Sequence, residues 1–263
     1  MENPVVLGKR KLRSFVGEKL RFLPYQAIVD QSTLITEKIR KLPEYQSANS
    51  VGLYMHMTIS ENIPRKSGRN VEVQTDRLIQ AAFEDEKLVY LPRISTRGEV
   101  SENQLELFQR AQLSDFVGSV NPIESSFKPQ SFLRMIAVQN YSSLASLDDQ
   151  NSYSIKEPEH GHDALDRTGL DLIIVPGLVF NASGDRIGRG KGYYDNFIEV
   201  HRLWSRTNNR PVPKLVGICF NEQVLNPNDY KTFPVESHDR RLDLIVTANN
   251  IYRSSKQRDD LQF

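Results

Sequence analysis

The stretch Gly184-Asp185-Arg186-Ile187-Gly188-Arg189-Gly190-Lys191-Gly192-Tyr193-Tyr194-Asp195 constrains this chain more than any other. It follows Leu172-Ile173-Ile174-Val175-Pro176-Gly177, a short apolar run ended by turn formers. Such a run reads as a strand buried on both faces of a parallel sheet. Beyond the stretch, apolar or aromatic residues at 194, 197, 198 and 201 suit one face of a helix. The predicted order is strand, glycine-and-cation loop, helix with an early acid. Gly188, Gly190 and Gly192 allow positive φ and close approach of backbone to a ligand. A helix opening near Gly192 aims unpaired N–H groups and its dipole's positive end at an anion. Arg186, Arg189 and Lys191 add cations suited to phosphate oxygens, and Asp195 suits a magnesium ion bridging phosphates. These features predict a polyphosphate site.

The loop departs from the common nucleotide motifs. A P-loop requires glycine where Asp185 stands and Ser or Thr where Gly192 stands. The dinucleotide fingerprint requires its third glycine at Tyr193. The plain alternative is a surface loop with solvated charges. Its place between strand and helix, and the immediate Tyr-Tyr-Asp, weigh against that.

Leu172 to Phe180 followed by Gly184 to Asp195 resembles the signature of the 5-formyltetrahydrofolate cyclo-ligase family, the methenyltetrahydrofolate synthetases. The resemblance implies a Rossmann-like three-layer fold, ATP as co-substrate and Mg2+. It also implies cyclisation of 5-formyltetrahydrofolate to 5,10-methenyltetrahydrofolate with release of ADP and phosphate. Phosphorylation of the formyl oxygen makes it a leaving group, and N10 of the folate attacks the activated carbon.

Totals set the outer bounds. The 263 residues suffice for one sizeable α/β domain or two small ones, and 38% hydrophobic with 25% charged content describes an ordinary soluble globule. Lys+Arg 34 against Asp+Glu 33 gives no basic field for nucleic acid, so no nucleic-acid partner is expected. Cys219 is the single cysteine, which excludes an intrachain disulfide framework and any multi-cysteine metal site. The five histidines show no zinc-ligand spacing. No run reaches membrane-spanning length and the N-terminus lacks a signal-peptide core. The expectation is a cytoplasmic monomer with no membrane partner, a mitochondrial destination being left open.

In chain order, apolar spacing predicts a helix over 9–23 and another over about 25–42, flanked by Pro24 and Pro43. The resemblance assigns Lys9 and Arg13 of the first to ATP, where spacing alone reads a solvated face. Val51 to Met57 reads as a strand, and Thr75 or Asp76 as the N-cap of a helix bearing Leu78, Ile79, Ala82 and Phe83. The resemblance places Met55, Met57 and Glu72 against the folate, with 58–70 intervening. Leu88 to Ile94 reads as a strand ending near Pro92. From about 109 to 150 periodicity is lost, and the stretch reads as an irregular insertion. Tyr153 stands where the family has a tryptophan bordering the folate. Lys214 to Phe220 and Leu242 to Ala248 read as further strands. In Phe233-Pro234-Val235-Glu236-Ser237-His238-Asp239, the resemblance pairs Asp239 with Asp195 as magnesium ligands.

The expected architecture is one α/β domain over 1–263, with a mainly parallel sheet and insertions at 58–70 and 109–150. Arg189, Lys191 and Tyr193 are the candidate catalytic residues. ATP falls to Lys9, Arg13, Arg186 and Gly188 through Tyr194. The folate falls to Met55, Met57, Glu72, Tyr153 and Arg189 through Tyr193. Two alternatives stand beside this reading: a non-catalytic nucleotide- or RNA-binding module, and an ATP-independent sugar-phosphate or acyl-transfer enzyme on a similar sheet.

Overall fold

The structure, a computed structural model, describes residues 3–57, 59, 61, 65, 67–114, 131–147, 156–230 and 232–254. The chain opens with helices α1 (Pro4–Arg21), α2 (Tyr25–Arg40) and the single turn α3 (Pro43–Gln46). Then come β1 (Ser50–Gly52), α4 (Asp76–Glu84), β2 (Leu88–Thr96), α5 (Glu102–Ser114) and β3 (Ser131–Val138). The second half holds β4 (Leu172–Val175), β5 (Val179–Asn181), β6 (Arg186–Ile187), α6 (Tyr193–Thr207), β7 (Lys214–Ile218), β8 (Val224–Leu225), β9 (Leu244–Val246) and β10 (Ile251–Arg253).

Seven strands form one sheet in the order β10-β9-β7-β4-β1-β2-β3. The five inner strands are parallel, and β3 and β10 close the edges antiparallel. Two-residue periodicity along the inner strands sends side chains to two different cores. Leu172, Ile174, Val216 and Leu244 join Val16, Ile28, Ile35 and Leu78 from α1, α2 and α4. Ile173, Val175, Leu215 and Ile245 join Phe108, Phe197, Val200 and Trp204 from α5 and α6. The result is the expected α/β three-layer arrangement.

Several element boundaries differ from expectation. α1 begins five residues before Lys9, because Asn3 accepts a hydrogen bond from the Val5 amide (2.9 Å) and Pro4 takes the first helical position. The strand expected over 51–57 leaves the ladder after Gly52, although the Leu53 amide still donates to Tyr90 O at 2.9 Å. Thr75 precedes α4 but does not cap it with its side chain. Its hydroxyl donates to Tyr54 O at 2.6 Å, tying the chain after β1 to the start of that helix.

β2 runs through Pro92 to Thr96. The Tyr90 carbonyl faces β1, so the Pro92 nitrogen two residues on also faces that edge, past the end of β1. No ladder donor is lost, and Pro92 sits opposite Met135 of β3 without penalty. The largest difference is β3 itself. It lies inside the stretch expected to be irregular, yet pairs with β2 over its whole length, from Val89↔Val138 to Thr96↔Ser131.

One buried group under the sheet predicts a pH response. His201 on α6 is fully buried; its Nε2 accepts from the Leu170 amide at 2.8 Å, which leaves Nδ1–H to donate to Ser205 Oγ at 3.2 Å. Burial holds its pKa down to about 4. The unfolded chain, titrating near 6.5, therefore binds more protons than the native state between pH 6.5 and 4. Stability should fall across that window as pH drops, by about 3 kcal/mol in total from this group. Urea unfolding at pH 7 and pH 4.5 should show that loss in the natural chain and a smaller one in His201→Gln. Equal losses in both would remove His201 as the cause.

Candidate active site

The site lies beyond the carboxyl end of β4, where ligands bind in open parallel sheets. The chain does not pass straight from β4 into a loop. β5 and β6 form a hairpin with Gly184 at φ +94°, and β8 adds to β5 in parallel, making a small second sheet. The hairpin is pinned: Asp185 accepts from Asn181 Nδ2 at 3.0 Å and from Arg241 Nε at 3.1 Å. The predicted loop is thus divided, with 184–187 in the hairpin and 188–192 leading into α6.

Gly190 and Gly192 carry the positive φ values expected of them, +98° and +69°. Gly192 is the N-cap of α6 and offers no side chain to its amides, which leaves the helix's first N–H groups for a ligand. Gly188 has a different reason: its φ is not positive, and a Cβ there would stand 3.0 Å from Arg186 Nη1. Lys191 is exposed and has no ion pair among the described residues.

The other cations are already engaged. Arg186 is buried, with Nη2 3.0 Å from Asp195 Oδ1 and Nη1 3.4 Å from Pro176 O. Arg189 Nη2 lies 2.8 Å from Glu72 Oε1. Arg13 donates from Nε to Gly188 O at 2.8 Å, so α1 reaches the loop. Lys9, also on α1 and buried, donates from Nζ to Glu236 Oε2 at 2.7 Å and Asp239 Oδ1 at 2.8 Å. Of the two sequence-predicted α1 residues, Arg13 therefore meets the loop and Lys9 the late acidic segment.

Arg240, the residue after Asp239, donates its amide to Asp195 Oδ1 at 3.1 Å, which ties the late acidic segment to the start of α6. Asp239 Oδ2 accepts from the Glu236 amide at 2.7 Å. Glu236, His238 and Asp239 hold their donor atoms within 4.8 Å of one another. Sequence reasoning singled out Asp239 and missed Glu236 and Arg240. Glu236 lies in the same quoted segment, but no local signal marks its partner Lys9, 227 residues away.

On the other side of the loop, Glu72 Oε2 accepts from the Met57 amide at 3.2 Å, which brings Met57 and Glu72 together. Burial raises the Glu72 carboxyl above its ordinary range, and the Arg189 guanidinium works against that rise. Met55 borders a cavity of about 270 Å³ with Asp76, Tyr141, Ser142, Leu144 and Lys156. Tyr193 exchanges a hydrogen bond with Ser131 of β3 at 3.0 Å, a partner sequence reasoning missed. The Tyr194 hydroxyl is buried without a hydrogen-bond partner among the described residues, and burial together with the Glu72 charge raises its pKa. Tyr153 lies outside the described residues.

Residues 6–248 match the sequence profile of the 5-formyltetrahydrofolate cyclo-ligase family. A Schizosaccharomyces pombe protein named as a probable 5-formyltetrahydrofolate cyclo-ligase is 30% identical over 251 residues, covering 94% of this chain and 98% of its own. The Saccharomyces cerevisiae 5-formyltetrahydrofolate cyclo-ligase is 29% identical over 242 residues, covering 92% and 95%. In fold, the chain is similar to the NMR structure of Aquifex aeolicus 5,10-methenyltetrahydrofolate synthetase, with a TM-score of 0.57 at 24% identity over 95% and 94% of the two chains. No helix among the described residues is long and apolar enough to cross a membrane. With a profile match spanning nearly the whole sequence, the chain belongs to the 5-formyltetrahydrofolate cyclo-ligase family.

Proposed function

We propose that the whole chain, as one cyclo-ligase domain, uses ATP and magnesium to cyclise 5-formyltetrahydrofolate to 5,10-methenyltetrahydrofolate, releasing ADP and phosphate. The observation that carries this reading is the junction at Arg189. The residue belongs to the glycine turn at the N-terminus of α6 and is ion-paired with Glu72 on the opposite side. The turn read as a phosphate site and a largely covered carboxylate thus meet at one side chain.

The chemistry needs no protein nucleophile. The formyl oxygen attacks the γ-phosphorus and ADP departs. N10 then attacks the formyl carbon, loses its proton, and phosphate leaves with the former formyl oxygen. The protein's work is alignment and neutralisation of developing charge. The first amides of α6 and the exposed Lys191 face the anion, while Arg13 holds the turn through Gly188 O. Glu72 and the Met57 segment orient the folate, and Tyr193 is fixed by Ser131.

The donor set fits magnesium. Asp195 and Asp239 would supply hard carboxylate oxygens; among the described residues Arg186 and the Arg240 amide both meet Asp195 at Oδ1, and Lys9 meets Asp239. Magnesium held there would supply neutralisation of phosphate charge. Purified protein given 5-formyltetrahydrofolate, magnesium and ATP should form the methenyl product, and none should form without ATP. ATP-independent turnover would replace this reading with the transferase alternative.

A further inference from the structure

The insertion at 58–70 docks on α1 through three of its described residues. Arg65 donates from Nη1 to Leu20 O (3.0 Å) and from Nη2 to Leu23 O (2.6 Å), satisfying carbonyls at the helix's C-terminal end. Gly68 lies so close that a side chain there would collide with Gly17 O. Arg69 then runs along the helix toward its N-terminus. Its Cγ stands 3.3 Å from where a Gly17 Cβ would be, and its Nη2 donates to Ser14 Oγ at 3.0 Å. Ser14 adjoins Arg13, whose Nε donates to Gly188 O and whose Nη2 lies 3.4 Å from where a Gly190 Cβ would stand. Two guanidiniums are thus held beside the glycine turn, one by α1 and one by the insertion.

Among the described residues neither guanidinium pairs with a carboxylate; Arg13 has a carbonyl for a partner and Arg69 a hydroxyl. Glu236 and Asp239 act on Arg13 from a distance, but Lys9 already holds both, at 2.7 and 2.8 Å. Burial and then the Arg69 charge lower the Arg13 pKa, as expected of like charges held near one another. A multivalent anion lying across both forks would turn that repulsion into attraction.

We infer that Arg69, supplied by the insertion, is a further phosphate-binding residue that works with Arg13 to clamp the polyphosphate of ATP at the glycine turn. The inference rests on the functional reading above and gives part of the insertion a purpose within it. A polyphosphate suits the pair better than a folate carboxylate does. The pair stands where α1 meets the turn, whereas Glu72 and Met57 meet it at Arg189. A triphosphate also brings several charges to share between two forks, and a carboxylate brings one. Arg69 is exposed, so solvent screens part of its effect.

The test is calorimetric binding of magnesium-ATP and, separately, of 5-formyltetrahydrofolate to the natural chain, Arg69→Gln and Arg69→Lys. Arg69→Gln should weaken ATP by about 3- to 20-fold, the worth of one partly screened charged hydrogen bond, and change folate affinity less than about twofold. Arg69→Lys keeps the charge and should recover most of the lost ATP affinity. The gap between the natural chain and Arg69→Gln should narrow at 0.5 M salt, a response that a packing defect would not give. Unchanged ATP affinity in Arg69→Gln overturns the inference. Equal weakening in the Gln and Lys variants would make the role structural and overturn it too. A loss of folate affinity with ATP untouched would move Arg69 to the folate side and do the same. If the natural chain itself binds no ATP, the functional reading falls, and the inference with it.

Discussion

Replacing Lys191 by alanine is expected to lower kcat by about two to three decades while leaving thermal unfolding unchanged. The reason is a contrast among the cations at the site. Lys9, Arg186 and Arg189 each face a carboxylate at 3.0 Å or less, and Arg13 donates to a carbonyl. Lys191 is exposed and has no ion pair among the described residues, so the native fold draws nothing from its charge. A cation held ready beside a glycine turn earns its effect only when negative charge develops there. Losing one such donor costs 2.7–4 kcal/mol of barrier in a comparable oxyanion site, about two to three decades in rate. Steady-state kinetics of Lys191→Ala beside its unfolding midpoint decide the matter. Unchanged turnover would take Lys191 out of the mechanism.

Asp195→Asn should behave in the opposite way and destabilise the protein by about 3–5 kcal/mol, the usual cost of stripping a buried ion of its partner. The Arg186 side chain is 3% exposed, and Asp195 is its one carboxylate partner among the described residues. Its Nε and Nη2 make no aligned hydrogen bond, so the ion pair at 3.0 Å is what balances the guanidinium. Asp239→Asn is the informative comparison. Lys9 would keep Glu236 at 2.7 Å, and the loss should be much smaller. Denaturant titration of the two variants separates them, and a Arg186→Met/Asp195→Leu double variant should recover most of the stability. If Asp195→Asn unfolds at the same denaturant concentration as the natural chain, the buried pair is not what holds the start of α6 in place. The consequence for metal work is practical: a weakened magnesium response in Asp195→Asn must be read beside its stability, whereas Asp239→Asn reports on the metal more cleanly.

What the sequence revealed was local. β4, the glycine turn and α6 are each announced by neighbouring residues: an apolar run, positive-φ glycines, and apolar residues at helical spacing. The hairpin of β5 and β6 was not legible, since strands of three and two residues are too short for any period to show. β3 is long enough, but its flanks gave no pattern from which to extend it. Pro92 misled because a proline penalty depends on which edge its nitrogen faces, a property of pairing and not of the residue. The site divides along the same line. Gly190, Gly192 and Asp195 could be named from the loop alone. That Lys9 meets Glu236 and Asp239, that Arg189 meets Glu72, and that Tyr193 meets Ser131 follows from the order of strands in the sheet. The loop's cations read as a phosphate cradle from sequence; in the fold, Arg186 and Arg189 are each already paired with a carboxylate.

In the proposed reaction the phosphate loop serves to activate the formyl oxygen of the folate. The most direct measurement starts from 5-formyltetrahydrofolate labelled with ¹⁸O at the formyl oxygen and follows the label through one turnover with ATP and magnesium. If the oxygen is phosphorylated and then expelled by N10, the label must appear in inorganic phosphate, one atom for each methenyl product formed. Label appearing in water, with unlabelled phosphate, would contradict the account.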